Sequence, residues 1–341
     1  MRKRKFILVF IMVFAAVLTA CGQSSSNKNQ DESKKDTYVI VAGHAAAKDH
    51  FAQKSFEKFK ELVEKNSNGR IKVEIHPGGE LGGEREMVEQ ILLGDLTMMA
   101  PASAPLDAVT KSMAVWDLPY LFTDRQMAHR VLDGEVGQEV LDSMSDKGLV
   151  GLAYWENGFR HLTNSILPIA SVSDFAGINM RTLENPMQIK AWSLAGANAT
   201  PIAFTELYAA LENHTVDAQE TPLSLMYSMK FYEVQKYLSL TGHTYSPWPV
   251  VMNKQFFDSL PDDLQQVVRD AAYETREYNR QLSKEDEEQA LQLLKDQGME
   301  VLELTEAQKQ EFKHAMSEIY SDVKNDVGEE LFDKLMKEVS M

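Results

Sequence analysis

The chain of 341 residues has a single cysteine, Cys21, so it cannot form an intramolecular disulfide. Outside a cell, its stability must therefore come from the packing of a core. Cations are also scarce relative to acids, and the formal charge is −16 at pH 7. Nucleic acid and anionic lipid surfaces repel such a chain, so neither is expected as a partner.

Sequence patterns typical of catalysis are missing as well. We find no Gly-x-Ser-x-Gly, no His-Glu-x-x-His, no phosphate loop ending in Lys-Ser or Lys-Thr, and no paired cysteines for a metal. His44 and His50 share no helical spacing, which favours solvated or core histidines over metal ligands. The glycine-rich segment 77–83 lacks the G-x-G-x-x-G spacing, which favours a tight turn over a phosphate cradle. No enzyme activity, cofactor or metal is expected.

Long apolar runs are confined to the start of the chain. Four cations at residues 2–5 precede an apolar run from Phe6 to Leu18. That run is too short for a permanent membrane helix and is typical of a secretory signal peptide, here residues 1–21. Removing the four cations takes the formal charge from −16 to −20. The mature chain is therefore expected to work outside the cytoplasm.

The end of this segment, Leu18-Thr19-Ala20-Cys21, resembles a bacterial lipobox. In a lipobox the cysteine becomes the lipidated first residue, so Cys21 is predicted to anchor the protein to the outer face of the cell membrane. An ordinary signal peptide with an incidental cysteine is the alternative. Residues 22–36 are polar and predict a flexible tether.

Residues 37–341 exceed the usual size of one compact domain, which predicts two lobes. Apolar strands alternate with amphipathic helices, and this order predicts an α/β sheet with parallel crossovers. The first strands are predicted at 38–42, 71–75 and 96–100, and the first helices at 52–63 and 84–93. Further strands are predicted at 149–155, 178–181, 237–241 and 250–252. A helix over 262–297, about 50 Å long, is predicted to bridge both lobes.

Several motifs occur together in a fixed order: Gly69–Val73, Leu81–Glu84, Trp155–Ser165, Gly177–Pro186, Gly196–Pro201, Thr205–Leu211, Val216–Glu220 and Phe231–Tyr237. In this order they resemble the substrate-binding proteins of TRAP (tripartite ATP-independent periplasmic) transporters. The resemblance implies a type II periplasmic-binding-protein fold. Lobe I would comprise 37–157 plus 247–286, and lobe II 158–246 plus 287–341. It also implies an organic-acid ligand and partners that are a small and a large integral-membrane subunit; we expect a monomer.

Arg181 is the first candidate ligand residue. It ends a predicted strand, and open α/β sheets bind ligands beyond the carboxyl ends of their strands. Arginine can hold a carboxylate with two parallel hydrogen bonds. Taken alone, Arg181 would be a solvated surface cation, but it matches the family's carboxylate-clamping arginine. Arg160 matches a second family arginine that binds another carboxylate or a hydroxyl, with a place at the rim as the alternative.

Other positions match the family's pocket. Trp155 and Phe204 would form aromatic walls, for which core packing is the alternative. Glu84 would accept hydrogen bonds from ligand hydroxyls, although stabilisation of a helix N-terminus explains it equally well. Thr221 stands where many relatives have asparagine, and Ala218 stands where they have glycine. These differences leave the identity of the ligand undecided.

Polar candidates suit a hydroxylated acid, namely His44, Ser103, Glu84 and Asn185. The sequence therefore favours a hexuronate or related sugar acid, with a C4-dicarboxylate next. Capture is expected to occur by closure of the cleft on the ligand. A sensor that presents its ligand to a membrane kinase and a surface-anchored hydrolase are the alternatives.

Overall fold

The computed structural model describes residues 37–341. The predicted signal peptide, the anchoring Cys21 and the tether fall in residues 1–36 and lie outside the described residues. Among the helices of residues 37–341, none has both the length and the apolarity needed to cross a lipid bilayer.

Nine strands of the described chain form one mixed sheet. Their bounds are β1 Tyr38–Gly43, β2 Ile71–His76, β3 Met98–Met99, β4 Leu149–Asn164, β5 Asn179–Thr182, β6 Asn198–Pro201, β7 Ala218–Pro222, β8 Tyr237–Asn253 and β9 Glu300–Glu303. Across the sheet the order is β2-β1-β3-β8-β4-β7-β5-β6, and β9 lies beside the start of β8.

Thirteen α-helices surround this sheet within residues 37–341. They are α1 Phe51–Asn66, α2 Glu84–Leu93, α3 Ser103–Leu106, α4 Arg125–Leu132, α5 Glu135–Asp142, α6 Pro186–Leu194, α7 Leu207–Glu212, α8 Leu223–Ser228, α9 Lys254–Ser259, α10 Asp262–Asp296, α11 Glu306–Ala315, α12 Glu318–Val327 and α13 Glu329–Val339. Two 3₁₀ segments near the site are Lys111–Asp117 and Phe204–Glu206.

The two long strands β4 and β8 divide the fold. The parallel strands β1, β2 and β3 lie on one side of them, and the strands β5, β6 and β7 on the other. Each group is covered by its own helices, as parallel strands with crossover connections require. The predicted type II periplasmic-binding-protein fold, with two α/β lobes joined by crossing strands, is confirmed.

The crossing strands are longer than the sequence predicted. The strands expected at 237–241 and 250–252 are the two ends of β8, and 149–155 is the first half of β4. Pro247 and Pro249 interrupt the sequence pattern of β8, so the pattern does not predict one continuous strand, because proline is rare in central strands. They are tolerated here since this stretch of β8 pairs only with β4 among the described strands.

Helix α10 connects two hydrophobic cores, as predicted for the segment 262–297. Leu264 and Val268, in its first half, belong to the core under β1 and α1. Ala290 and Leu294, in its last turns, belong to the core of α7 and α8. Helices α12 and α13 pack on Lys111–Asp117 and on α4 and α5. The lobe boundaries given above stay a prediction.

Candidate functional site

One pocket lies where strands of both lobes end. It contains about 490 Å³ of empty space, counting the part that opens to solvent. Its polar lining comprises His44, Glu84, Asn157, Arg160, Arg181 and Thr221, and its larger apolar lining comprises Phe56, Leu183, Phe204, Leu225 and Trp248.

Nine residues were predicted from the sequence to bind ligand, and the structure brings six of them to this pocket. These six are His44, Glu84, Arg160, Arg181, Phe204 and Thr221. Trp155, Ser103 and Asn185 are not among the lining residues. Their side chains bond to other parts of the protein, as described below.

Arg181 lies in β5 and is 2 % exposed. Its Nε donates a hydrogen bond to the Ile202 carbonyl oxygen at 2.9 Å, which is the one hydrogen bond of the side chain within residues 37–341. Its guanidinium carbon lies 6.0 Å from the centre of the Phe204 ring. Burial lowers the pKa of Arg181 to about 10, although the Glu220 carboxylate opposes this. A buried cation that lacks a directly bound carboxylate is costly, and an anionic ligand would relieve that cost.

Arg160, in β4, already has a counter-ion. Its Nε and Nη2 both donate to the Glu220 carboxylate, and Nη2 also donates to the Glu220 carbonyl oxygen at 2.8 Å. His243 Nε2 lies 3.0 Å from the same carboxylate. Burial would raise the pKa of Glu220, but the charge of Arg160 and the hydrogen bond from His243 prevail and lower it to about 2. Arg160 therefore brings little uncompensated charge to the pocket.

Glu84 is the first residue of α2 and is half-buried. Its Oε1 accepts a hydrogen bond from the Ala102 amide at 3.2 Å, so it ties α2 to the segment after β3. Burial raises the pKa of Glu84, and the Ala102 amide, Arg160 and Arg181 act in the opposite direction. Its other carboxylate oxygen forms no hydrogen bond within residues 37–341.

His44 follows β1 and stacks on Phe56, with ring centres 4.9 Å apart. Its Nε2 lies 3.0 Å from Gln53 Oε1, while Nδ1 has no hydrogen-bond partner within residues 37–341. Burial lowers the pKa of His44, which keeps the ring neutral at pH 7. Trp155 does not reach the pocket. Its Nε1 donates to the Ala272 carbonyl oxygen at 3.0 Å, and its ring supports Phe56 from behind, edge-on, at 5.2 Å.

Ser103 and Asn185 belong to a polar cluster beside the pocket. Ser103 Oγ donates to Asp117 Oδ1 at 3.0 Å. Asn185 caps α6 by accepting from the Met187 amide at 2.7 Å. Burial raises the pKa of Asp117 to about 7, while the hydrogen bond from Ser103 opposes this. Ser103 and Asn185 therefore bond to other residues of the protein. Their positions in the sequence did not reveal these contacts.

Asn157 was missed by the sequence reasoning. It lies between Glu156 and Gly158, where β4 bulges against β8. Its Nδ2 donates to Ser246 Oγ at 3.3 Å, and its buried Oδ1 has no partner in the described chain. The signal for it is a pair of polar residues, Glu156 and Asn157, between the apolar run 152–155 and a glycine. Thr221, in β7, lines the pocket nearby and is 1 % exposed.

The chain matches a family model described as bacterial extracellular solute-binding protein, family 7, over residues 42–326. The chain belongs to this family. The 2,3-diketo-L-gulonate-binding periplasmic protein YiaO of Escherichia coli K12 is 37% identical over 311 residues, which cover 91% of this chain and 92% of YiaO. The chain is therefore an extracytoplasmic substrate-binding protein of a TRAP transporter and not an enzyme, as the sequence predicted.

Solved structures agree with this assignment. The sugar acid binding protein DctPAm from Advenella mimigardefordensis, in complex with galactonate, superposes with a TM-score of 0.87 at 35% identity, covering 89% of this chain and 98% of DctPAm. A TRAP solute-binding protein from Sulfurospirillum deleyianum with bound succinate gives a TM-score of 0.84 at 32% identity, covering 88% and 98%. The family thus takes small organic acids and delivers them to membrane subunits.

Proposed function

We propose that this chain captures a sugar acid, a hexuronate being favoured, and delivers it to the small and large membrane subunits of a TRAP transporter. The observation that best supports this proposal is the difference between the two arginines of the pocket. Arg160 is paired with Glu220, whereas Arg181 donates only to a carbonyl oxygen within residues 37–341. One cation without a bound carboxylate suits a ligand with one carboxylate, which Arg181 would clamp.

The remaining polar lining favours hydroxyl groups on that ligand. Asn157 Oδ1 and His44 Nδ1 are buried and lack hydrogen-bond partners within residues 37–341. Glu84 adds a carboxylate oxygen to the same pocket. Buried acceptors without donors are costly, so a ligand that supplies several hydroxyl donors is favoured. A second carboxylate would instead be repelled by Glu84. The galactonate held by DctPAm supports this choice.

Capture proceeds by closure. The acid enters between the lobes, Arg181 neutralises its carboxylate, and the difference in affinity between the open and closed states drives the lobes together. Phe56, Phe204 and Trp248 then exclude water, which strengthens the contacts of Arg181 in the lowered dielectric. We assign residues 37–157 and 247–286 to lobe I and 158–246 and 287–341 to lobe II.

Anchoring to the membrane is part of the proposal. Cys21, at the end of the lipobox-like Leu18–Cys21, would carry lipid chains on the outer face of the cell membrane, and residues 22–36 would tether the lobes. Incorporation of labelled palmitate into the wild-type chain but not into Cys21→Ser tests this. Equal labelling of the two would contradict the anchor.

A thermal-shift screen, followed by calorimetry, tests the ligand. The panel comprises D-galacturonate, D-galactonate, D-erythronate, succinate, 2-keto acids and sialate. A ligand that binds only the folded protein raises the melting temperature. We expect a shift with a sugar acid and none with succinate. Binding of succinate alone would refute the sugar-acid assignment and leave the TRAP assignment standing. Samples are unfolded and refolded first, because a co-purified acid would mask binding.

A further inference from the structure

The loop between β5 and α6 contacts the opposite lobe beside the pocket. Strands β3 and β5 lie on opposite sides of the long pair β4 and β8. Helix α3 follows β3, and α6 follows β5. A contact between α3 and this loop therefore connects elements on opposite sides of the long pair.

Part of this contact is apolar. Leu183, from the loop, forms a small separate cluster with Ala102 and Ala104 at the start of α3. Leu183 and Ala102 also line the pocket. The cluster thus closes the pocket wall between Glu84, which binds the Ala102 amide, and Arg181, which precedes the loop.

The polar part is Asn185, which is 1 % exposed. Its Nδ2 donates across the cleft to the Ala104 carbonyl oxygen at 3.0 Å and to Asp107 Oδ2 at 3.3 Å. Its Oδ1 accepts from the amides of Met187 and Gln188 at the start of α6. The oxygen end of the side chain thus caps its own helix, while the nitrogen end binds the other lobe.

We propose that Asn185 is a closure latch that contacts no ligand. It holds the β5–α6 loop, and with it Arg181, against α3 in the closed form. Opening exchanges its two cross-cleft hydrogen bonds for bonds to water, and the net gain of such an exchange is small. A latch of this strength shifts the closing equilibrium about tenfold and still allows release. Because the cap uses the oxygen of the side chain and the latch uses its nitrogen, a substitution can remove the latch and keep the cap.

Three variants separate these functions. Asn185→Ser and Asn185→Asp keep an oxygen that can cap α6 but lose the amide donor, whereas Asn185→Ala loses both. Spin labels on cysteines introduced at the exposed Glu89 of α2 and Glu212 of α7 report the distance across the cleft. Measurements use the full chain carrying Cys21→Ser, without ligand and with saturating D-galacturonate.

We expect Asn185→Ser and Asn185→Asp to populate the open distance more than the wild type does, while their thermal unfolding stays close to wild type. D-Galacturonate should bind Asn185→Ser about tenfold more weakly. Asn185→Asp should bind more weakly still, because its carboxylate would face Asp107. Asn185→Ala should show the same opening together with lower thermal stability.

Full closure of Asn185→Ser and Asn185→Asp would overturn the latch and leave Asn185 as a helix cap. Weaker binding with an unchanged distance at saturation would also overturn it, in favour of direct ligand contact. If D-galacturonate does not bind the wild type, the ligand assignment fails separately. In that case the distances measured without ligand test the latch. Equal fractions of closed molecules in wild type and variants would refute it.

Discussion

Arg160 and Glu220 form a buried ion pair beside the pocket, with Nε and Nη2 of the guanidinium both directed at the carboxylate. The two residues are 4 % and 0 % exposed. Loss of one partner of such a pair leaves an uncompensated buried charge, which is strongly destabilising. The pair also affects the charge of the pocket, because it leaves Arg181 as the lining arginine that has no bound carboxylate within residues 37–341.

Glu220→Gln should therefore change ligand preference. Glutamine keeps the shape of the side chain but removes its charge, so Arg160 becomes a second cation without a counter-ion. We expect the affinity for succinate to rise relative to that for D-galacturonate, and the free energy of unfolding to fall by on the order of 3 kcal/mol. Calorimetry with both ligands and urea unfolding measure these effects. The exposed Glu89→Gln is the control and should change neither.

The stability effect of Glu220→Gln should depend on pH. The pKa of Glu220 is lowered to about 2 in the fold. The stability it contributes is therefore complete above its usual pKa of about 4.5 and is lost as the pH falls towards 2. Unfolding free energies of wild type and variant should converge over that interval. A difference that stays constant from pH 6 to pH 2 would show that the charge of Glu220 does not stabilise the fold.

Arg181→Ala should abolish most binding with little loss of folding stability. Removal of a buried charge that contacts a ligand carboxylate costs about 2–5 kcal/mol of binding free energy. Arg181→Lys keeps the charge but not the planar fork, so it should recover only part of the loss. Arg85→Ala, at an arginine whose side chain is 63% exposed, serves as the control. Wild-type affinity in Arg181→Ala would refute the clamp.

The sequence predicted strands and helices best where apolar residues recur with an uninterrupted period. The strands and helices from Tyr38 to Leu93 are found within a few residues of their expected bounds, because each has its own apolar period. The continuity of β8 was missed, because Pro247 and Pro249 break the pattern that a strand would show. No local signal reveals that only one of its neighbours pairs with it there.

Side-chain roles were predicted less well than side-chain positions. Trp155 was predicted to form a wall of the pocket, but its ring lies behind Phe56 and its indole bonds to Ala272, 117 residues further along the chain. Asn185 ends up at the cleft, yet its bonds to Ala104 and Asp107 depend on how the two lobes meet. A motif places a residue near a site, whereas long-range contacts decide which atoms remain available to a ligand.

Asp117 should make stability fall as the pH rises from about 4 to about 7. Burial raises its pKa to about 7 from an ordinary value near 3.8, so the fold favours the protonated form. The corresponding stabilisation is present below the ordinary pKa and is lost as the pH rises towards 7. Asn in its place can still accept hydrogen bonds from Ser103 and Gln188. Asp117→Asn should therefore gain stability relative to wild type between pH 4 and pH 7. Urea unfolding across that range checks this, and parallel curves would contradict the raised pKa.

Gly79 allows the glycine-rich turn to approach the segment Phe204–Glu206 closely. A Cβ at Gly79 would lie 2.5 Å from Thr205 Cγ2, and the φ angle of Gly79 is +72°. Gly78 has a similar φ angle of +64°, but a Cβ there would meet nothing within 4 Å. Substitution by alanine should strain the backbone similarly at both positions. Only at Gly79 does it also push Thr205 away.

Gly79→Ala should therefore weaken D-galacturonate binding by about tenfold or more by holding the cleft partly open, whereas Gly78→Ala should bind as wild type does. Both should lower the melting temperature by a similar small amount. Thr205→Ser removes the clashing methyl group and should restore binding to Gly79→Ala. Equal binding by the two alanine variants, or no rescue by Thr205→Ser, would show that the turn does not control closure.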